Sequence, residues 1–418
     1  MSVAIVGGGY TGCLVALDLL KKGWKVTLYE QGPELGGVLR DIVHDGEAFF
    51  NGCQYLRLGS LAGKNLLANC YSFGHHYGSY TSLGSNSPRL VDDVAQPTFD
   101  GDCSVQPAFP LGGSVTNRLK NFGRHYDDLA RWAGSWGDLD ELDWQCSVPM
   151  QISRVYFPED LNVASLRMED PRVEALTVIP RRIRLPNAPI ESAFLPKDGY
   201  NAFFQFVRES LLDSGCELRL NRPVKVVEDG FDFALSSRGQ VFRHDFTVWV
   251  SNPVQPLRKI CGLRLSTPPT RMRVLYGELR GGSFDNYPIP YYWQIFSSIS
   301  PIVRIYIYRI RGHLRFTAEA FDTPDQSLMT KSLKDIGSKV GVGGNFDIRG
   351  NVLQTRYVNY TQRDRRAVEG ATETLLARRI VPGAWLTYGR EEKIREVSST
   401  ISDFLIQSRL EVKCEEPV

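Results

Sequence analysis

Along the first thirty residues, apolar and polar positions fall into two short apolar runs with one periodic stretch between them. Ser2–Val6 is apolar at every position but the first, as expected of a strand covered on both faces. Cys13, Ala16, Leu17 and Leu20 then recur at i, i+3, i+4 and i+7, one face of a helix that Gly23 ends. Lys25–Tyr29 repeats the strand pattern and Glu30 closes it. The helical period returns at Phe203, Phe206, Val207 and Leu211, and again at Ile394, Val397, Ile401 and Leu405. Between them, residues 216–228 read as two short strands around Pro223, and Phe246–Val250 as a third apolar run. Farther on the period drops to two: Arg304, Tyr306 and Tyr308 share one strand face and Val303, Ile305 and Ile307 the other, while Arg356, Val358 and Tyr360 share a face in a later run. Strand and helix alternating at both ends, with a β-rich middle, predict an α/β protein that also carries an antiparallel sheet.

The turn joining the first strand to the first helix is Gly7-Gly8-Gly9-Tyr10-Thr11-Gly12. In this setting of strand, turn and helix, Gly7 permits the tight turn, Gly9 lets a pyrophosphate approach the backbone, and Gly12 lets helix and strand pack closely. The helix N-terminus at Tyr10 and Thr11 offers free N–H groups and a positive dipole end to phosphates. Glu30, at the end of the second strand, is placed to accept hydrogen bonds from ribose hydroxyls; Gln31 follows and no arginine is close, so a 2′-phosphate is not expected. The ligand predicted from these residues is FAD or NAD. A second glycine cluster, residues 341–346, has Phe346 where the third glycine should stand, so only one nucleotide site is expected.

The continuation, Gly36-Gly37-Val38-Leu39-Arg40, sets a second glycine pair and a cation where they can meet the same pyrophosphate from its other side. This pattern resembles the glutathione-reductase-like flavoproteins of the amine oxidase, protoporphyrinogen oxidase and UDP-galactopyranose mutase branch, and lies nearest to the mutases. The resemblance implies FAD, held by a Rossmann-type domain built from residues 1–60, 190–255 and 380–418, with a helical cap insertion at 61–189 and an antiparallel substrate sheet at 256–379. It implies that Val224 meets the adenine and that the Gly389-Arg390 pair lies beside the isoalloxazine, where a positive charge favours a reduced, anionic flavin. Arg304 is the positional match for the arginine that grips the substrate diphosphate, and with Arg390 would be the catalytic pair; Tyr306, Tyr308 and Tyr360 would line the substrate.

The activity so implied is a mutase-like isomerisation of a nucleotide sugar, in which the reduced flavin N5 attacks the anomeric carbon and the sugar ring opens and recloses. The alternative is an oxidase or dehydrogenase of the amine oxidase type, taking a hydride from a C–N or C–O bond. Two departures set this chain apart from the mutases: Cys53 stands where they place a histidine, and Glu391–Val397 lacks their tyrosine-rich helix start.

Composition narrows the partners. Among 418 residues, 49 Lys and Arg stand against 47 Asp and Glu, a net charge of +2, so no broad field attracts nucleic acid or an acidic membrane. A small-molecule substrate is the expected partner, and a homo-oligomer is left open. No apolar run is long enough for a transmembrane helix, and the N-terminus lacks a signal-peptide pattern, so a cytoplasmic location is expected. The eight cysteines show no paired spacing, pointing to free thiols, and His75-His76 has no companion ligands, so no metal is expected.

Overall fold

The structure, a computed structural model, describes residues 1–56, 66, 70–73, 76–81, 89–92, 113–120, 126–143, 146, 193–230, 232–266, 270–280, 289–296, 300–323, 325–339, 345–357, 359–387 and 390–414. Five parallel strands form its first sheet, in the order Ile380–Pro382, Phe246–Trp249, Ser2–Val6, Lys25–Tyr29, Glu217–Arg219. Ser2–Val6 lies at the centre, and its apolar run serves two cores. Val3 and Ile5 pack with the helices Tyr10–Lys21, Tyr200–Asp213 and Arg390–Cys414 through Leu14, Leu17, Phe203, Val207, Ile394 and Val397. Ala4 and Val6 join Val226, Leu235, Leu257 and Leu375 on the opposite face. A strand covered on both faces has no polar position to spare.

A seven-stranded sheet makes the second layer, in the order Phe346–Tyr357, Thr270–Leu279, His313–Phe321, Ile302–Ile310, Tyr291–Phe296, His76–Thr81, Arg89–Asp92. It is antiparallel throughout except where Tyr291–Phe296 runs parallel to His76–Thr81. The helix Gln326–Lys339 covers one face with Met329, Leu333 and Ile336, which meet Ile305, Ile307, Phe316, Ala318 and Ala320. The other face carries Tyr306 and Tyr308, which belong to the core of the parallel-sheet unit. The sheet is thus clasped between its own helix and the first layer.

Most of the stretch expected to be a helical cap, 61–189, lies outside the described residues. Its described parts differ from that expectation: the helices Val115–Leu119 and Tyr126–Ala133 are present, but Cys70–Phe73, His76–Thr81 and Arg89–Asp92 are strands. The last two extend the antiparallel sheet, because exposed strand edges recruit any neighbouring extended chain. Among the described residues no helix is long and apolar enough to cross a membrane.

Candidate functional site

The first strand ends at Val6, the chain turns through Gly7, and the helix opens at Tyr10 with Gly9 as its N-cap. Gly7 has φ +115°, a conformation that side chains strain to adopt. A Cβ on Gly12 would overlap the carbonyl oxygen of Gly7, so turn and helix touch backbone to backbone. Gly9 differs: a Cβ there would meet nothing within 4 Å. The space it opens onto lies at the helix N-terminus, where free N–H groups attract phosphate.

The second glycine pair closes on this same turn. Gly36 N–H donates to the Gly8 carbonyl at 2.8 Å, Gly9 and Gly36 form a parallel bridge, and a Cβ on Gly37 would stand 3.4 Å from the Gly9 Cα. Both members of the pair have positive φ, +117° and +55°. Two glycine turns separated by the second strand therefore face one another, as a pyrophosphate held from two sides requires.

Glu30 stands beside them, its Oε2 accepting from Gly8 N–H at 2.7 Å and its Oε1 from Gly32 N–H at 2.8 Å. A carboxylate has capacity beyond two bonds, leaving lone pairs for a ribose. Arg222 N–H donates to the Glu30 carbonyl, which brings the chain entering Val224 to the end of the second strand. Gln31 and Val38 are exposed, Thr11 is half-buried, and Tyr10 and Leu39 are buried.

Arg40 pairs with Glu34, yet its Nε is buried with no hydrogen-bond partner. Asp41 Oδ1 and the Tyr200 hydroxyl are buried and unpartnered as well. Asp41 ties the second glycine turn to the helix Tyr200–Asp213 by reciprocal bonds: its Oδ2 accepts from Asn201 N–H at 2.8 Å and its own N–H donates to Asn201 Oδ1 at 3.1 Å. Burial pushes its carboxyl up to about 6, against the pull of the Asn201 and Tyr200 N–H groups and of Arg315. The native state therefore keeps this proton at a pH where the unfolded chain has lost it. Stability from this group is present below the ordinary aspartate value and is lost as pH rises to about 6, by on the order of 3 kcal/mol. Urea titrations of Asp41→Asn against the parent from pH 4 to 7 should show a flatter profile in the variant.

Arg390 opens the C-terminal helix; its partner in the expected pair, Gly389, lies outside the described residues. The guanidinium donates to the Tyr55 carbonyl at 3.1 Å and to Gln54 Oε1. Gln54 Nε2 in turn donates to the carbonyls of Asn51 at 3.2 Å and Val38 at 3.4 Å. This one buried amide joins the second glycine turn to the C-terminal helix. Arg390 also lies close enough to Tyr10 and Tyr200 to act against the burial that raises both phenols.

The strand Ile302–Ile310 presents Arg304, Tyr306 and Tyr308 on one face as the alternation predicts, but that face is buried. Arg304 Nε donates to Glu319 Oε2 at 2.6 Å, a second guanidinium N–H reaches the same oxygen, and the pair is 8% and 0% exposed. Tyr308 belongs to a closed circuit: Phe50 N–H donates to its hydroxyl at 2.8 Å, that hydroxyl donates to Thr317 Oγ1 at 2.9 Å, and Thr317 donates to the Phe50 carbonyl at 2.9 Å. The Tyr308 and Phe50 rings stack at 4.0 Å. Tyr360 does not join this group; it packs with Val368, Leu375 and Trp385 on the other side of the parallel sheet. Cys53, too, is turned inward, its thiol on the Thr317 carbonyl.

Residues 2–336 match the family described as FAD dependent oxidoreductase, four-fifths of the chain. The chain belongs to that family. Its cofactor is FAD, and the open space at Gly9, the facing glycine turns and the orphaned Arg40 Nε suit a pyrophosphate. Across 97% of its length the chain is similar to a reduced UDP-galactopyranose mutase (14% identity, TM-score 0.64, 95% of that chain). A putrescine oxidase carrying two substitutions is similar over 97% of this chain and 99% of its own (12% identity, TM-score 0.62), and a CLA-producing fatty acid isomerase from P. acnes over 96% and 98% (13% identity, TM-score 0.58). These likenesses establish the fold. No curated protein sequence matches.

Sequence alone did not single out Gln54, Asp41, Tyr200 or Glu319. The last of these left a trace: Arg315, Thr317 and Glu319 alternate with Phe316, Ala318 and Ala320, a polar face on a strand that lies inside the sheet.

Proposed function

We propose that this FAD-dependent enzyme is an oxidoreductase that accepts a hydride from a C–N or C–O bond of a small substrate. The observation that carries the reading is the commitment of the two arginines, among the described residues, on the sheet face turned to the cofactor unit. Arg304 is neutralised by Glu319, and Arg315 donates to the Ala48 carbonyl and lies 4.5 Å over the Phe49 ring. A diphosphate needs a cation that can turn to it. Among the described residues the wall formed by Phe50, Tyr306 and Tyr308 is aromatic and uncharged, which suits a substrate that arrives without a diphosphate. FAD, when bound, supplies the two-electron acceptor. The chain's part is to hold it by the glycine turns and Arg40, to keep water from it with buried aromatic side chains, and to set Arg390 where negative charge grows on reduction. In this reading residues 1–60, 190–255 and 380–418 hold the cofactor and residues 256–379 face the substrate.

A nucleotide-sugar isomerase is the second reading. It draws on Arg390, whose charge favours a reduced cofactor, and on the likeness to UDP-galactopyranose mutase; it needs a diphosphate ligand other than Arg304. Anaerobic mixing of the oxidised holoenzyme with panels of amines, alcohols and nucleotide sugars separates the two. Bleaching of the visible flavin absorption by an amine or alcohol, reversed by air, is the expected result. Isomerisation of a nucleotide sugar by dithionite-reduced protein, without net oxidation, would replace it with the second reading.

A further inference from the structure

We propose that the buried Arg304–Glu319 pair is a positioning device for the cofactor, acting through the chain segment from Phe50 to Gln54. The inference rests on the FAD site described above. Four side chains of the antiparallel sheet grip one short stretch of backbone, and a fifth, Arg304, holds one of the four. Arg315 takes the Ala48 carbonyl, Tyr308 and Thr317 take the N–H and carbonyl of Phe50, and Glu319 Oε1 accepts from Cys53 N–H at 3.1 Å while its Oε2 holds Arg304. All five are buried. The next residue is Gln54, which binds both Arg390 and the Val38 carbonyl in the second glycine turn.

The charge on Glu319 makes its bond to Cys53 N–H a strong one, and Arg304 keeps that charge tolerable in a dry interior. Three consecutive links, Glu319 to Cys53, Gln54 to Val38 and Gln54 to Arg390, fix two walls of the cofactor site relative to the substrate sheet. A small shift of Cys53 would pass to both walls, because Gln54 follows it directly along the chain.

Two variants test this in the FAD-loaded protein. Exchanging the whole pair, Arg304→Met with Glu319→Leu, leaves no lone buried charge and should preserve the fold, since such exchanges are neutral or stabilising. The expected result is an apoprotein that still folds cooperatively, with a shifted visible flavin spectrum and an FAD Kd raised by about tenfold or more, the effect of losing one charge-assisted hydrogen bond. Arg304→Lys keeps Glu319 paired and should retain the parental Kd and spectrum. An intact double variant with parental Kd and spectrum would overturn the proposal. So would a folded Arg304→Lys protein that loses FAD affinity, since Arg304 would then act by touching the ligand and not through Glu319; that variant decides the matter should the double variant fail to fold. Parental protein that takes up no FAD in the same titration would instead remove the cofactor site itself.

Discussion

Gly9→Val should strip the chain of FAD while leaving the apoprotein folded. Gly9 sits in extended backbone as the helix N-cap, with φ −74° and ψ 180°, which valine adopts freely, and a Cβ there meets nothing within 4 Å. In the empty fold the added Cβ therefore meets no clash, and the cost is limited to replacing glycine at the helix N-cap. The valine side chain fills the space through which, in the proposed site, a pyrophosphate would reach the helix N-terminus, on the side where a Cβ added to Gly37 would stand 3.4 Å from the Gly9 Cα. We expect FAD affinity to fall at least about a hundredfold, roughly 3 kcal/mol. Flavin fluorescence titration measures the loss, and urea unfolding should show both apoproteins unfolding in one cooperative transition. Parental affinity in this variant would mean that the cofactor does not pass over Gly9.

Gly12→Ala should do the reverse of this separation, losing stability and cofactor together. Here the added methyl overlaps the Gly7 carbonyl oxygen and stands 3.0 Å from the Val250 side chain, so the clash is with backbone that has no rotamer to change. The turn must move away from the helix, which breaks the contact between the Gly8 carbonyl and Gly36 N–H that joins the two glycine turns. Overpacking of this kind costs about 1–3 kcal/mol or more. The apoprotein should unfold at lower urea with an unchanged slope, and FAD should bind weakly to what remains folded. The pair of variants thus distinguishes a glycine kept for the ligand from one kept for the fold, although both stand in the same six-residue motif.

That motif and Gly36-Gly37 were legible in the sequence because they answer local demands of the backbone, and the amino-acid type alone reports such demands. The strands and helices around them were legible for the same kind of reason: Val3 and Ile5 face one core and Ala4 and Val6 another, so the run between them has to be apolar. Arg304 shows where that legibility stops. Its place on a strand face could be read from the alternation, but its partner lies fifteen residues away on the next strand, and only register brings the two together. Arg315, Thr317 and Glu319 likewise have the pattern of a solvated strand face and are buried because residues 48–53 lie across them. Tyr360 lies beyond the strand Phe346–Tyr357 and packs in another layer, and sequence periodicity carries no information about which layer a face meets. Polar residues that hold one segment to another are the least visible from sequence, since their meaning resides in the partner.

Everything proposed for the site depends on one FAD lying between the two glycine turns, with its pyrophosphate at Gly9, Gly37 and the orphaned Nε of Arg40. The most direct measurement is titration of FAD into the purified apoprotein alongside an Arg40→Met variant. A stoichiometry of one per chain, and an affinity that falls about tenfold or more when Arg40 is replaced, is the result expected for a charged hydrogen bond to phosphate. No saturable FAD binding, or binding indifferent to Arg40, would contradict it.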